Sequence, residues 1–282
     1  MKSIFSSLVL IFLAIGTCSA QSTLVYFPQF VDGRTAGSTA AWGSVLLVTN
    51  PAAPGTSTAT VSITLTSDTG SPMNIPFTDI TGTPVANTAF GLTQFQIAGG
   101  QTEYLVSQSN THYVTPLNSG FAQVTSDRPV TAALIFIEYS CVATDGCGSP
   151  ISEAGVSATV PLTGQAVPIM QNSSPGPGNF GLDGAVAVAN PGSGTVHITF
   201  QLLDTSGNQL LDSSGNAIGP VQQTLAALNH TAFFIPQLFP SAPALFGGTL
   251  RITSDSPIVT TGLSFMGPGL FATIPVFSLP GQ

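Results

Sequence analysis

Val196-His-Ile-Thr-Phe-Gln-Leu202 alternates apolar and polar side chains at every position, and Val61-Ser-Ile-Thr-Leu65 has the same alternation. A period of two indicates a strand with one buried and one solvated face. Turn-forming stretches such as Asp-Thr-Gly-Ser-Pro and Ala-Gly-Gly separate these runs, so that strands recur roughly every 8 to 12 residues. No segment shows a sustained helical period. The sequence therefore predicts an all-β chain of antiparallel β-sandwiches.

The chain also contains an internal duplication, because several blocks of sequence recur in the same order. The distance in sequence between a block and its copy never increases along the chain. We predict two tandem β-sandwich repeats, 22–164 and 165–282, after a signal peptide at 1–20. The second repeat is the first with loops removed. The clearest pairs are Val48-Thr-Asn-Pro51 with Val188-Ala-Asn-Pro191, Val124-Thr-Ser-Asp-Arg-Pro129 with Ile252-Thr-Ser-Asp-Ser-Pro257, and Ala158-Thr-Val-Pro161 with Ala272-Thr-Ile-Pro275.

Several stretches of the first repeat, and more weakly of the second, resemble a repeat of uncharacterised exported proteins from environmental bacteria. The resemblance implies immunoglobulin-like sandwiches and implies no reaction. The stretches that carry it are Tyr26-Phe-Pro-Gln-Phe-Val-Asp-Gly33, Val48-Thr-Asn-Pro51, Thr66-Ser-Asp-Thr-Gly-Ser-Pro72 and Gly120-Phe-Ala-Gln-Val-Thr-Ser126.

The N-terminus has the layout of a secretory signal peptide: Lys2, an apolar stretch from Ile4 to Ile15, and small residues ending at Ala20. An uncleaved N-terminal anchor and a lipid anchor on Cys18 are the alternatives. We expect a protein that is secreted or displayed at the cell surface, with the periplasm as a further destination. No later apolar run is long enough for a membrane-spanning helix.

Charge is sparse and negative, with a formal net charge of −8 from four basic and twelve acidic residues. Lys and Arg contacts to phosphate dominate nucleic-acid affinity. A nucleic-acid partner is therefore not expected, and neither is an anionic membrane surface.

Cys141 and Cys147 flank a turn-like stretch after an apolar strand. In an exported chain a disulfide is the expected state of such a pair. Closing so small a loop would stabilise the fold by roughly 2 kcal/mol. The second repeat lacks this loop, so the bond decorates the first repeat only.

Candidate catalytic groups are few and scattered. His112, His197 and His230 have no nucleophile beside them in sequence, and we interpret them as surface or turn residues. Paired carboxylates from Asp127, Glu138, Asp145 and Glu153 would be needed for a glycoside hydrolase. The turns beginning at Asp204 and Asp212 have oxygen-rich sequences that suit calcium, although a hairpin turn needs no ion.

Two repeated motifs attract attention, and we interpret both as structural. Asp followed two residues later by Pro closes a turn before the next strand, and Asn-Pro is a turn sequence. The predicted structural turn residues are Asp127, Pro129, Asp255, Pro257, Asn50, Pro51, Asn190 and Pro191.

The sequence thus predicts a non-catalytic exported protein with a surface structural, adhesive or ligand-binding role. The alternative is a carbohydrate-binding accessory protein or a weak glycoside hydrolase. We expect no cofactor and a cell-surface protein or polysaccharide as partner. Trp42, the only tryptophan, is expected to pack in the core or at its rim, with a sugar-stacking platform as the alternative.

Export makes a first prediction. Because small residues end at Ala20, secreted protein should begin at Gln21. Mass spectrometry of secreted material checks this, and retention of residues 1–20 or lipid on Cys18 would contradict it.

Overall fold

The computed structural model of the chain describes residues 22–85, 88–89, 91–107, 116–142, 146–174, 181–266 and 269–280. The predicted signal peptide, His112 and Asp145 lie outside these residues.

Within these residues the chain forms two successive groups of strands, called here the N-terminal sandwich (β1–β9) and the C-terminal sandwich (β10–β17). The first group is β1 (Ser22–Asp32), β2 (Ala40–Thr49), β3 (Thr58–Ser67), β4 (Phe77–Thr78), β5 (Thr88–Ala89), β6 (Leu92–Ala98), β7 (Thr102–Ser107), β8 (Asn118–Val142) and β9 (Gly146–Ser157). The second group is β10 (Leu162–Asn172), β11 (Asp183–Ala189), β12 (Val196–Asp204), β13 (Val221–Leu225), β14 (His230–Phe234), the helical turn α1 (Ile235–Leu238), β15 (Leu245–Phe265), β16 (Phe271–Ile274) and β17 (Phe277–Ser278).

The N-terminal sandwich has two layers joined by its longest strand. β8 pairs along its first half with β1 and β3, and along its second half with β2 and β9. Val61 and Ile63 from one layer and Leu46 and Leu134 from the other belong to one buried core. The alternation that predicted half-buried strands therefore has its structural basis in this core.

The C-terminal sandwich repeats the arrangement with fewer strands. β15 pairs first with β10 and β12 and then with β11 and β16. Ile198, Phe200 and Leu202 from β12 lie in its core. The predicted all-β class with two antiparallel units is confirmed. The boundary placed after Gly164 falls inside β10.

The pairing of each long strand is irregular at the repeated Thr-Ser-Asp-x-Pro motif, where the strand passes between layers. A bulge of this kind bends a strand, and the motif is called the bend below. The motif was predicted to be a turn between two strands, but the backbone continues as a single strand through it. The aspartate also acts at longer range than predicted. Asp127 Oδ1 accepts a hydrogen bond from the Thr60 amide at 2.8 Å, and Asp255 Oδ1 accepts one from the His197 amide at 3.0 Å. Each carboxylate thus tethers the bend to the neighbouring strand.

Pro129 and Pro257 are exposed within these bends. Proline has no backbone N–H to donate to a neighbouring strand, and it is tolerated at an exposed position where no such hydrogen bond is needed. The serine before each aspartate donates its hydroxyl to a carbonyl two residues on, Arg128 in one repeat and Ser256 in the other. The two motifs are therefore built alike.

The Asn-Pro motifs also occupy matching positions, at the end of β2 and of β11. Asn50 and Asn190 are both 1% exposed. Asn50 donates to the carbonyls of Ser57 and Ile97, and Asn190 donates to those of Gly194, Leu225 and Ala226. Each side-chain oxygen accepts a hydrogen bond from the backbone amide two residues later, that of Ala52 or Gly192. The buried amide supplies hydrogen bonds that the surrounding loop backbone would otherwise lack.

Two further features complete the fold. The predicted Cys141–Cys147 disulfide is present and joins β8 to β9. The helical turn α1 was not predicted, because a segment of four residues is too short to show a helical period.

Glycine is required at one equivalent position of each long strand. A Cβ on Gly120 would collide with the Thr66 carbonyl oxygen, and one on Gly248 would collide with that of Leu203. Gly155, also within a strand, has no described atom within 4 Å of its Cβ position.

We predict that Gly120→Ala and Gly248→Ala each destabilise the protein by about 1–3 kcal/mol, because neighbouring backbone must move. Gly155→Ala is the matched control and should have little effect. Urea unfolding monitored by circular dichroism measures the difference. Equal stability of all three variants would show that the backbones are not in close contact.

Candidate functional site

The two sandwiches pack against each other through apolar side chains. Ala185, Leu263 and Phe271 from the C-terminal sandwich join the core cluster of the N-terminal sandwich. Tyr26 and Phe121 form a separate buried cluster with Ala189 and Val259. Burial of apolar surface between the units stabilises their association and holds them in one arrangement.

A hydrogen bond between a buried histidine and a half-exposed aspartate reinforces this contact. His230 was interpreted from sequence as a surface or turn residue, but it is buried at the start of β14. His230 Nδ1 lies 2.7 Å from Asp68 Oδ1, and the imidazole side chain is 1% exposed. The His230 amide also donates to the Asp68 carbonyl at 3.3 Å. Gly70 allows the turn after β3 to approach the C-terminal sandwich closely, because a Cβ at this position would lie 2.9 Å from the side-chain amide of Asn229. Among the described residues, His230 Nε2 has no hydrogen-bond partner.

A second set of polar contacts joins β9 to β16. The Phe271 amide donates to Ser152 Oγ at 3.4 Å, and Thr273 Oγ1 donates to the Gly155 carbonyl. Phe271 is thereby held at the junction between the sandwiches.

An open cavity of about 260 Å³ lies at this junction. Both sandwiches contribute to its wall, which consists largely of aromatic rings. These rings belong to Trp42, Phe136, Phe233, Phe234, Phe265 and Phe271.

The rings support one another around Phe271. Its centroid lies 5.3 Å from that of Trp42 in an edge-on arrangement and 5.9 Å from that of Phe265 in a stacked one. Phe234 lies 5.2 Å from Phe265. Aromatic pairs in such geometries contribute about 0.5–1.5 kcal/mol beyond burial alone. Phe234 is nevertheless 41% exposed, as expected at the mouth of a cavity.

Two amide side chains supply the polar part of the wall. Gln237 lies in α1, and its Oε1 accepts a hydrogen bond from the Phe234 backbone amide at 2.8 Å. Gln29 is 7% exposed and donates through Nε2 to Ser119 Oγ at 3.4 Å. In the described part of the chain, Gln29 Oε1 is buried without a hydrogen-bond partner. No described charged side chain lines the cavity.

Among the described residues that were individually considered as catalytic or binding groups from sequence, only Trp42 lines this cavity. Trp42 is half-buried, so it combines core packing with access to the cavity. The aromatic residues of the C-terminal sandwich were not singled out, because an inward-facing phenylalanine has the same sequence signal in a core and in a cavity wall.

The three candidate carboxylates that the structure describes, Asp127, Glu138 and Glu153, do not converge. Glu138 pairs with Ser152 and its neighbour Ile137 pairs with Glu153, so the two glutamates project from opposite faces of the sheet. Burial raises the pKa of Glu138 above its usual value. Asp127 is exposed at its bend. These positions do not form the facing pair that glycoside hydrolysis needs.

The remaining described polar candidates make structural contacts with neighbouring strands or within their own turns. His197 pairs with Asp255 on the surface, and the amide of His197 is the main cause of the lowered pKa of Asp255. Asp204 and Asp212 each accept two amides of their own turns. Among the described residues, no group of three or more His, Cys, Asp or Glu could hold a metal ion.

Within the described ranges, no helix has the length and apolarity needed to cross a membrane. No protein-family model matches the chain, and no curated protein matches it.

The two histidine–aspartate pairs allow a matched test. His230→Ala should destabilise the protein by about 2–3 kcal/mol, because it opens a gap where the buried imidazole packs. His197→Ala should have a far smaller effect, since that side chain is 71% exposed. Thermal and urea unfolding measure both, and equal losses would contradict a structural role for the buried histidine.

Proposed function

We propose that this chain is an exported, non-catalytic binding protein that holds a small ligand between its two sandwiches. The observation that carries the proposal is the aromatic cavity, which requires both sandwiches for its wall. Ligand sites are commonly concave, mostly apolar and located between domains, with a few polar groups that orient the ligand. Gln29 and Gln237 are such groups.

A binding role without catalysis is supported by the distribution of reactive groups. The buried imidazole of His230 is paired with the Asp68 carboxylate, and the surface imidazole of His197 is paired with the Asp255 carboxylate. Neither has a described serine or cysteine hydrogen-bonded to it that could act as a nucleophile.

The wall chemistry favours an apolar ligand over a sugar. Each hydroxyl of a buried sugar needs a hydrogen-bond partner, and one left without a partner costs about 1–3 kcal/mol. Two amides among aromatic rings supply few such partners. The carbohydrate-binding alternative is therefore less well supported than a small apolar ligand.

Export is part of the proposal. It is supported by the N-terminal sequence and by the Cys141–Cys147 disulfide, since disulfides persist in oxidising compartments outside the cytosol.

The single tryptophan provides a direct test of binding. The neutral two-ring dye 1-naphthylamine should bind saturably and quench Trp42 emission, because Trp42 lies in the cavity wall. Ala232 is exposed in the same wall, so Ala232→Phe should fill the mouth and weaken dye binding by about tenfold or more.

Ala217→Phe is the control, because Ala217 is exposed in a hairpin turn of the C-terminal sandwich and does not line the cavity. It should leave binding unchanged, and thermal unfolding should confirm that both variants fold. Absence of saturable binding, or equal binding by both variants, would contradict the proposed function.

A further inference from the structure

We infer that the ligand is a small neutral aromatic molecule with one hydrogen-bond donor, such as a phenol, and that the donor bonds to Gln29 Oε1. This inference rests on the proposed function and specifies its ligand class.

The size of the cavity limits the ligand to one or two rings. An apolar cavity of about 150 Å³ in another protein accommodates benzene, and drug-sized molecules occupy about 300–1,000 Å³. The present cavity, at about 260 Å³, lies between these two cases. A single substituted ring fits such a space, whereas an oligosaccharide does not.

The wall favours an aromatic ligand over an aliphatic one. Phe271 and Trp42 already meet edge to face, and Phe234 and Phe265 meet at an interplanar angle of 55°. A further ring can continue these arrangements and gain quadrupole interactions that an alkyl chain cannot make.

The electrostatics favour a neutral ligand. A buried charge without a partner carries a large desolvation penalty, and the described wall offers no charged side chain to offset it. A cation would need open ring faces, yet Phe265 and Phe271 stack on each other at an interplanar angle of 29°.

Gln29 determines the polar group of the ligand. Gln29 lines the cavity, its Nε2 donates a hydrogen bond to Ser119 Oγ, and its Oε1 is buried without a described partner. A buried acceptor without a donor destabilises the empty protein, so a ligand hydroxyl or N–H that reaches it restores a hydrogen bond. A ligand donor is thereby selected over a ligand acceptor.

The test compares phenol with anisole, which replaces the hydroxyl hydrogen with a methyl group. Each compound displaces 1-naphthylamine from the full mature chain, and the displacement gives its Kd. Phenol should bind about fivefold to tenfold more tightly than anisole, the value of one hydrogen bond. Gln29→Met should abolish this preference, because Met keeps the size of the side chain and removes the amide acceptor.

The outcomes separate the two levels of the proposal. Dye binding that is sensitive to Ala232→Phe, together with equal affinities for phenol and anisole in the wild-type protein, would overturn the ligand class and leave the binding site standing. Tighter binding of benzyltrimethylammonium than of toluene would overturn the neutral ligand in the same way. Failure of the dye to bind would overturn both. The wild-type comparison needs no variant, so it decides the matter even if Gln29→Met does not fold.

Discussion

The structure depends on two long strands that each cross from one layer of a sandwich to the other. β8 and β15 pair with both layers, so neither layer can move without the other. Asp127 and Asp255 hold the crossing bends against neighbouring strands. Beyond the bends, the second halves of these strands carry Phe136, Leu263 and Phe265 into the cavity wall. The same constraint therefore builds the cores and positions the site.

The cavity also depends on how the sandwiches meet. β14 begins at His230, which pairs with Asp68 across the junction, and ends at Phe234 at the mouth of the cavity. β16 is tied to β9 by polar contacts on both sides of Ala272, which places Phe271 against Trp42. These contacts keep the two halves of the wall at a fixed distance. A preorganised wall lowers the entropic cost of binding a small ligand.

Local patterns in the sequence predicted the strands, the duplication and the disulfide, because alternation, turn residues and paired cysteines are properties of short segments. The cavity could not be predicted, because its wall brings together residues that are far apart in sequence and come from both repeats. Asp127 shows the same limit: a turn was predicted from its immediate neighbours, whereas its carboxylate bonds an amide 67 residues away. Likewise, nothing near Gln29 in sequence indicates that Ser119 holds its amide.

The central claim is that the junction between the sandwiches is a binding site for a neutral aromatic donor. A crystal of the mature protein soaked in 4-iodophenol tests it most directly, because iodine scatters anomalously and reveals its own position. The account predicts an anomalous peak among Trp42, Phe234 and Phe271, with the phenol oxygen within hydrogen-bond distance of Gln29 Oε1. A cavity without a peak, or a ligand whose hydroxyl points away from Gln29, would contradict it.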